Sequence, residues 1–211
     1  MKIVLKFGGT SLASPKDIRN VAKTITSFSK GNQIVVVCSA VDGVTDDLIT
    51  ISRLIEQRRK NNIVANLNGV IIKHRKLANQ TIKNSVIKKQ LLEKLNTDVS
   101  ELQELVRGLT LLKEVSARSL DYLISFGERL SDDLVSYALQ DLKKKSTALN
   151  GKEVGIVTDS NFGESRPLMD TTRIRISKTL GSLLSKKIIP VVGGFAGADQ
   201  HGNITTFGRG G

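Results

Sequence analysis

Residues 1–40 of this 211-residue chain, MKIVLKFGGTSLASPKDIRNVAKTITSFSKGNQIVVVCSA, contain the pattern that decides the fold. Ile3-Val4-Leu5 is a short apolar run that predicts a buried strand, and the strand is expected to end at Gly8-Gly9. Ile34–Val37 is a second, β-branched run, of the kind found in parallel sheets that helices cover on both faces.

The segment between these two strands predicts a helix. Ser14 is a typical helix cap and Pro15 suits the first helical position, so we expect a helix from Pro15 to about Lys30. Strand, helix and strand together form a βαβ unit, whose crossover should be right-handed.

The next hundred or so residues have a different pattern. From Thr45 to about Lys144 the sequence is mostly helical, and we place the whole helical excursion at about 45–150. Breaks between its helices are expected at 61–69 and 96–99, because these stretches contain Asn, Gly and Thr.

Sheet character returns towards the end of the chain. Val154–Val157 and Ile188–Val192 predict strands, and a helix is expected between them at about Thr171–Leu184. His201-Gly202-Asn203 is flanked by small and β-branched residues within Phe195–Phe207, which predicts a hairpin.

The chain is basic, with a formal net charge of +12 from 32 basic and 20 acidic residues. Much of the excess lies between Arg53 and Lys94, where the only acidic residues are Glu56 and Glu93. An anionic substrate, a nucleic acid or a solvated basic face could each explain this charge. We favour the solvated face, because few aromatic residues interleave with the bases and no nucleic-acid-binding motif is present.

Cysteine content and hydropathy indicate the cellular compartment of the protein. Cys38 is the only cysteine, so no disulfide can form within the chain, which fits a reducing cytosol. The start lacks the pattern of a signal peptide, and no apolar stretch approaches the roughly 20 residues of a membrane span. We therefore expect a cytoplasmic protein with no membrane partner.

The segment Lys6-Phe7-Gly8-Gly9-Thr10-Ser11 has the chemistry of a phosphate site. Its glycines let backbone N–H groups approach an anion, and Lys6 supplies a point charge. The hydroxyl groups of Thr10 and Ser11 can donate to a phosphate or a carboxylate. The order differs from the Walker pattern because the lysine precedes the glycines, and a tight turn with a surface lysine is the alternative.

Four segments, in order, resemble the aspartate kinases of the amino acid kinase superfamily. They are KFGGTS at 6–11, SAVDGVTD at 39–46, SFGERLS at 125–131, and 194–211, which begins GFAG and ends GNITTFGRGG, with Phe207 where the family usually has leucine. The likeness covers essentially the whole chain. It implies an α/β fold: a three-layer sandwich with an open, mainly parallel sheet and a helical excursion.

The resemblance also implies an activity. In this family the γ-phosphoryl group of ATP, supplied with Mg²⁺, is transferred to the β-carboxylate of L-aspartate in the first step of lysine, threonine and methionine biosynthesis. An aspartate side chain, with a pKa of about 4, is already ionised at neutral pH, so the reaction needs alignment and charge neutralisation and no general base. L-aspartate and ATP are the expected partners, and we expect a homo-oligomer that binds no nucleic acid.

Site residues follow by position from the same resemblance. Lys6 is the expected catalytic cation, with Asp170 a candidate to orient it. The expected phosphate-binding residues are Lys6, Gly8, Gly9, Thr10, Gly208, Arg209 and Gly210. The expected substrate-binding residues are Ser11, Ser39, Thr45, Glu128 for the ammonium group, and Arg166, after Phe162-Gly163, for the α-carboxylate. No residue is assigned to a metal.

Three of these residues also have purely structural explanations. Thr45 could cap a helix that begins at Asp46, and Glu128 could pair with an arginine or lysine on its own helix face. Ser39 could be an ordinary turn residue.

The family pattern sets the expected domain organisation. In the family, a Ser-Asp pair and the segments that hold the nucleotide base follow the position of Gly211, and a regulatory region usually comes next. We therefore place 1–211 as the amino-terminal part of a single amino acid kinase domain, without the nucleotide-base half or the regulatory region, and expect it to be inactive alone.

Two further functions remain open. One is another kinase of the superfamily, acting on glutamate, N-acetylglutamate, carbamate or a nucleoside monophosphate. The other is a non-catalytic aspartate-binding module.

Overall fold

The structure, a computed structural model, describes residues 1–208. The strands are β1 Lys2–Phe7, β2 Gln33–Cys38, β3 Ser146–Leu149, β4 Ile189–Gly193, β5 Ala196–Ala198 and β6 Ile204–Thr206. The α-helices are α1 Pro15–Phe28, α2 Val44–Glu56, α3 Lys60–Thr81, α4 Ser85–Leu112, α5 Ala117–Asp141, α6 Gly151–Val154 and α7 Met169–Ser185, and a 3-10 turn covers Gly9–Leu12.

The main sheet has four parallel strands in the order β1-β2-β4-β3. Phe7 is in register with Cys38, and Cys38 with Gly193, so the carboxyl ends of β1, β2 and β4 are level. Helices flank the sheet: α5 lies against β2, β3 and β4, while α7 contacts β2 and β4. The predicted α/β class with a parallel sheet is confirmed.

The predicted βαβ unit is present, and its helix begins where the sequence indicates. Ser14 caps α1 by accepting a hydrogen bond from the backbone N–H of Asp17 at 3.2 Å, with Pro15 at the first helical position. The predicted hairpin is also present, since β5 and β6 pair antiparallel across the turn at 199–203.

The helical excursion is present as four helices, α2 to α5, and its central member is α5. This helix contacts α1, α2, α3 and α4 as well as the sheet. Phe126, in the middle of α5, is a large, fully buried side chain. The excursion therefore shares one core with the sheet.

The predicted strand at Val154–Val157 is wrong. Val154 ends the short helix α6, in which Asn150 and Glu153 form a reciprocal capping box, and Gly155 follows in the left-handed region at φ 102°. The strand of this region is β3, with the sequence STAL, which has no run of β-branched residues. Pairing with the apolar strand β4 stabilises β3 despite its weak intrinsic preference.

The predicted helix breaks at 61–69 and 96–99 are also wrong, since these stretches lie inside α3 and α4. The actual breaks lie near Arg58 and Lys113, which both have positive φ, and at Asn84, whose side chain caps α4. Packing of α3 against α2 and α4 outweighs the weak helix preference of Asn and Gly, which is a small term per residue.

Two observations concern the basic stretch and the hydropathy of the helices. Arg53, Arg58, Arg59, Lys60 and Lys89 of the basic stretch are all exposed. No helix among residues 1–208 is long and apolar enough to cross a lipid bilayer.

The packing around α6 yields a test by glycine substitution. A Cβ on Gly151 would lie 1.7 Å from the Ala196 carbonyl oxygen, so Gly151→Ala should destabilise the fold by roughly 1–3 kcal/mol or more. In α3, a Cβ on Gly69 would meet nothing within 4 Å, so Gly69→Ala should stabilise by about 1 kcal/mol. Urea denaturation measures both, and equal effects of the two substitutions would contradict the described contact.

Candidate active site

The level carboxyl ends of β1, β2 and β4 open into a cavity of about 570 Å³, here called the strand-end cavity. Ligands of open α/β sheets commonly bind at this edge, where loops from neighbouring strands meet. Five of the predicted site residues line it: Lys6, Gly9, Ser39, Thr45 and Glu128. They come from three segments of the chain that are far apart in sequence.

The KFGGTS segment forms the exit from β1. Gly8 precedes the 3-10 turn, and the backbone N–H of Ser11 donates to the Gly8 carbonyl at 3.0 Å. A Cβ on Gly9 would lie 2.8 Å from the Ala40 carbonyl oxygen, so glycine is needed there for loop packing. Gly8 has open space around it, while Thr10 and Ser11 lie in the turn but do not line the cavity.

The SAVDGVTD segment connects β2 to α2. The Ser39 backbone N–H donates to the Phe7 carbonyl at 3.0 Å, and the Ser131 hydroxyl donates to the Ser39 carbonyl at 2.8 Å. Gly43, at φ 77°, precedes α2, which begins at Val44. Thr45 is therefore not the cap of a helix starting at Asp46; it lies in the first turn and faces the cavity.

Glu128 is buried between α5 and the end of β4. Its Oε2 atom accepts a hydrogen bond from the Phe195 backbone N–H at 2.8 Å. Burial raises the pKa of Glu128 to about 7, against the opposing effects of the Phe195 and Gly194 N–H groups and the Lys6 charge. A carboxyl group with this pKa, facing a cavity, suits the binding of a cationic ligand group.

The alternative for Glu128, an ion pair on its own helix face, is not what the structure shows. The neighbouring Arg129 instead reaches α4, where it pairs with Asp98 and, at 2.6 Å, with Glu101. Lys94 also pairs with Asp98, at 2.7 Å. No ion pair of Glu128 is found within residues 1–208, although the charge of Lys6 acts on it.

Other predicted residues lie outside the strand-end cavity. Arg166 is exposed, and its backbone N–H donates to Asp159 at 3.0 Å; Asp170 is exposed in the first turn of α7. Neither lines the cavity. Gly208, at φ 75°, lies beside the Gly163 carbonyl. Arg209 and Gly210 lie outside the described residues.

The structure adds residues that the sequence did not indicate. Gly194 and Phe195 line the cavity and present backbone N–H groups to Glu128. Lys73 of α3 donates to the Asp42 carbonyl at the cavity rim. Asp121 of α5 accepts hydrogen bonds from the Gly163 N–H and from both the N–H and hydroxyl of Thr206, which ties the hairpin to α5. For Asp121, the sequence offered only an acidic residue near the start of a helix, with no sign of its burial.

Comparisons with known proteins identify the family. The model of the amino acid kinase family matches residues 1–211, so the chain belongs to this family, as the four segments predicted. It is 32% identical to the chloroplastic aspartokinase 3 of Arabidopsis thaliana over 99% of this chain and 36% of that protein. An aspartokinase of Helicobacter pylori is also 32% identical, over 100% of this chain and 37% of that protein.

Solved structures agree on the fold. The chain superposes on Escherichia coli aspartokinase III, crystallised with aspartate and ADP, with a TM-score of 0.88 at 23% identity, covering 100% of this chain and 44% of that one. At this identity the likeness establishes the fold. The chain spans a little over one third of the length of the curated relatives named above.

Burial of Glu128 makes the stability of the fold depend on pH. The pKa of Glu128 is about 7 in the folded state against an ordinary 4.5. The stabilising contribution of Glu128 to the free energy of unfolding is therefore fully present below pH 4.5, and it is lost as pH rises through about 7. Glu128→Gln should therefore stabilise the protein relative to wild type by up to roughly 3 kcal/mol at about pH 8, and much less at about pH 4.

Urea denaturation of both proteins at the two pH values measures this difference. Glu104→Gln, on an exposed site of α4, is the matched control and should show no such change. A pH-independent difference between Glu128→Gln and wild type would contradict the burial of an ionisable carboxyl group.

Proposed function

We propose that this chain provides the aspartate-binding and phosphate-binding part of an aspartate kinase, which transfers the γ-phosphoryl group of ATP to the β-carboxylate of L-aspartate. The observation that carries the proposal is the strand-end cavity, in which Lys6, Ser39, Thr45 and Glu128 meet. The similarity to aspartokinases supports the choice of substrate.

Recognition of the substrate ammonium group is assigned to Glu128. The Phe195 N–H fixes the orientation of the carboxylate, and burial makes its charge strongly responsive to a nearby cation. Ser39, at the end of β2, and Thr45, in the first turn of α2, supply hydroxyl groups that hydrogen-bond the rest of the amino acid. One cavity thus holds a negative group together with neutral donors.

The transfer step joins two anions. An oxygen of the substrate β-carboxylate forms a bond to the γ-phosphorus while the bond from that phosphorus to the bridging oxygen of ADP breaks, and no proton moves because the acceptor is already ionised. Lys6 neutralises charge on the transferring group, and the open backbone around Gly8 leaves room for a phosphate. Positioning and electrostatics therefore account for the catalysis.

Mg²⁺ fits this scheme as a companion of ATP. No group of three or more His, Cys, Asp or Glu side chains within residues 1–208 is arranged to hold a metal ion. Mg²⁺ is commonly held by substrate phosphates with few protein ligands, so it would arrive bound to the nucleotide and lower the charge of its phosphates.

The remaining assignments are proposals from the family resemblance. They include Arg166 for the α-carboxylate, Asp170 to orient Lys6, a homo-oligomeric cytoplasmic enzyme, and a place at the first step of lysine, threonine and methionine biosynthesis. For Arg166 and Asp170, a movement of the 159–170 segment towards the cavity would be required.

Trapping the acyl phosphate with hydroxylamine tests the activity on the full-length protein that contains this chain. Hydroxamate should form with L-aspartate and Mg-ATP, and not with glutamate, N-acetylglutamate or a nucleoside monophosphate. Product with one of those substitutes, and none with aspartate, would assign the chain to another kinase of the superfamily.

Glu128→Ala in the same protein should weaken the use of aspartate far more than that of ATP. Removing one partner of a buried charge pair costs roughly 3–5 kcal/mol, so kcat/KM for aspartate should fall by at least roughly a hundredfold. Glu104→Ala on α4 is the control. Equal losses for both substrates would show that Glu128 does not bind the amino group.

Lys6→Ala should mainly lower the turnover rate, because the ammonium group of Lys6 acts on charge that develops during transfer. We expect kcat to fall more than the KM for aspartate rises, in steady-state kinetics with both substrates varied. Lys2→Ala, at the exposed start of the same strand, should leave both constants near wild type. An unchanged kcat in Lys6→Ala would remove this residue from the mechanism.

A further inference from the structure

Asp132 of α5 is a buried acid without a partner. Only 1% of its surface is exposed, and neither carboxylate oxygen has a hydrogen-bond partner among the described residues. Burying such a group unpaired costs several kcal/mol or forces it to stay protonated. Unsatisfied buried polar groups are few in native proteins, so this one requires an explanation.

The surroundings of Asp132 are acidic. A Cβ on Gly193 would lie 2.8 Å from Glu128 Oε2 and 3.0 Å from Asp132 Oδ2, so the two carboxyl groups converge on the same point of β4. Burial raises the pKa of Asp132 well above its ordinary value, and the charges of Glu128, Asp133 and Glu153 raise it further. The Gly193 N–H lowers it, although its geometry falls short of a hydrogen bond to either oxygen.

Two of the nearby cations are engaged elsewhere. Arg129 pairs with Asp98 and Glu101 on α4, and Lys94 pairs with Asp98 and, at 3.6 Å, with Asp133. Within residues 1–208 no cationic side chain forms an ion pair with Asp132. Asp132 therefore has no ion-pair partner among the described residues, while Glu128 feels the charge of Lys6.

These two acids line a second cavity, of about 480 Å³, here called the α5 groove. It runs along α5 and is closed by the Asn150–Lys152 segment and the hairpin turn. Leu105, Ala196 and Ile204 give it an apolar lining, and the basic residues Arg118, Arg129 and Lys152 also line it. Glu128 is the only described residue that it shares with the strand-end cavity.

We propose that the α5 groove binds a primary aliphatic amine in its ammonium form, which donates hydrogen bonds to Asp132 and Glu128. An ammonium group has three donors and can satisfy oxygens of both carboxyl groups. The groove is far larger than an ion needs, and its apolar lining accommodates an alkyl chain. The described acids are not arranged for a metal ion.

Calorimetric titration with n-butylammonium chloride at about pH 8 tests the proposal directly. We expect saturable binding to the wild-type protein and none for 1-butanol, which has the same alkyl chain without the charge. Equal binding of butanol would show that only apolar contact is involved, and displacement of butylammonium by equimolar potassium chloride would show a site for inorganic cations. Either result overturns the proposal.

Asp132→Asn provides the residue-level test, because asparagine has the same shape without the negative charge. Affinity for butylammonium should fall roughly tenfold or more. Asp133→Asn is the matched control: Asp133 is adjacent on α5 but pairs with Lys94 and does not line the groove, so affinity should change much less than in Asp132→Asn. An unchanged affinity in Asp132→Asn, with a thermal midpoint no lower than that of wild type, would refute the assignment.

Discussion

The hydrogen bond from the Phe195 backbone N–H to the buried Glu128 carboxylate joins helix α5 to the end of β4, and the shape of the strand-end cavity depends on it. This contact is possible only because α5 approaches the sheet closely. Gly193 leaves room for the carboxylate, and Gly127, on the same helix, faces the Ala40 side chain, which a Cβ would approach to 3.0 Å. Close approach removes water from Glu128, which is why its pKa rises and why a cationic ligand would be bound strongly at this point.

The helical excursion explains how α5 can carry so much buried charge. Asp98 of α4 is fully buried, yet it is compensated by Lys94 on its own helix and by Arg129 on α5. The guanidinium group of Arg129 also lies over the Phe126 ring, 5.1 Å from its centroid. Removing either partner from such a network would leave an unpaired buried charge. Further along α5, Asp132 has no hydrogen-bond partner among the described residues, and Glu128 is balanced only by backbone N–H groups and the charge of Lys6. Both acids line cavities.

Much of the fold was accessible from local sequence, and particular elements show why. Ser14-Pro15 predicted the start of α1, because capping depends on neighbouring residues only. The prediction of the hairpin around Gly202 also depended on neighbouring residues only. By contrast, β3 has no strand pattern of its own and exists because β4 offers it a parallel partner. The predicted breaks in the helical excursion were wrong for a related reason. Contacts between long helices override the weak helix preference of single Asn and Gly residues.

The sequence by itself determined the class of fold, the family, and the segments that carry chemistry, because turn residues, caps and apolar runs act over a few positions. The tertiary structure decided which of those residues meet. Parallel strands in register bring Lys6 and Ser39 to one cavity, and the packing of α5 against the sheet adds Glu128. Arg166 and Asp170 are exposed outside it. The tertiary structure also decided the pKa values of the buried acids. Glu128 and Asp132 are ordinary carboxylates in sequence. Loss of water between α5 and β4 is the largest cause of their raised pKa values, the charge of Glu128 adds to the shift at Asp132, and Asp132 is left without a hydrogen-bond partner among the described residues.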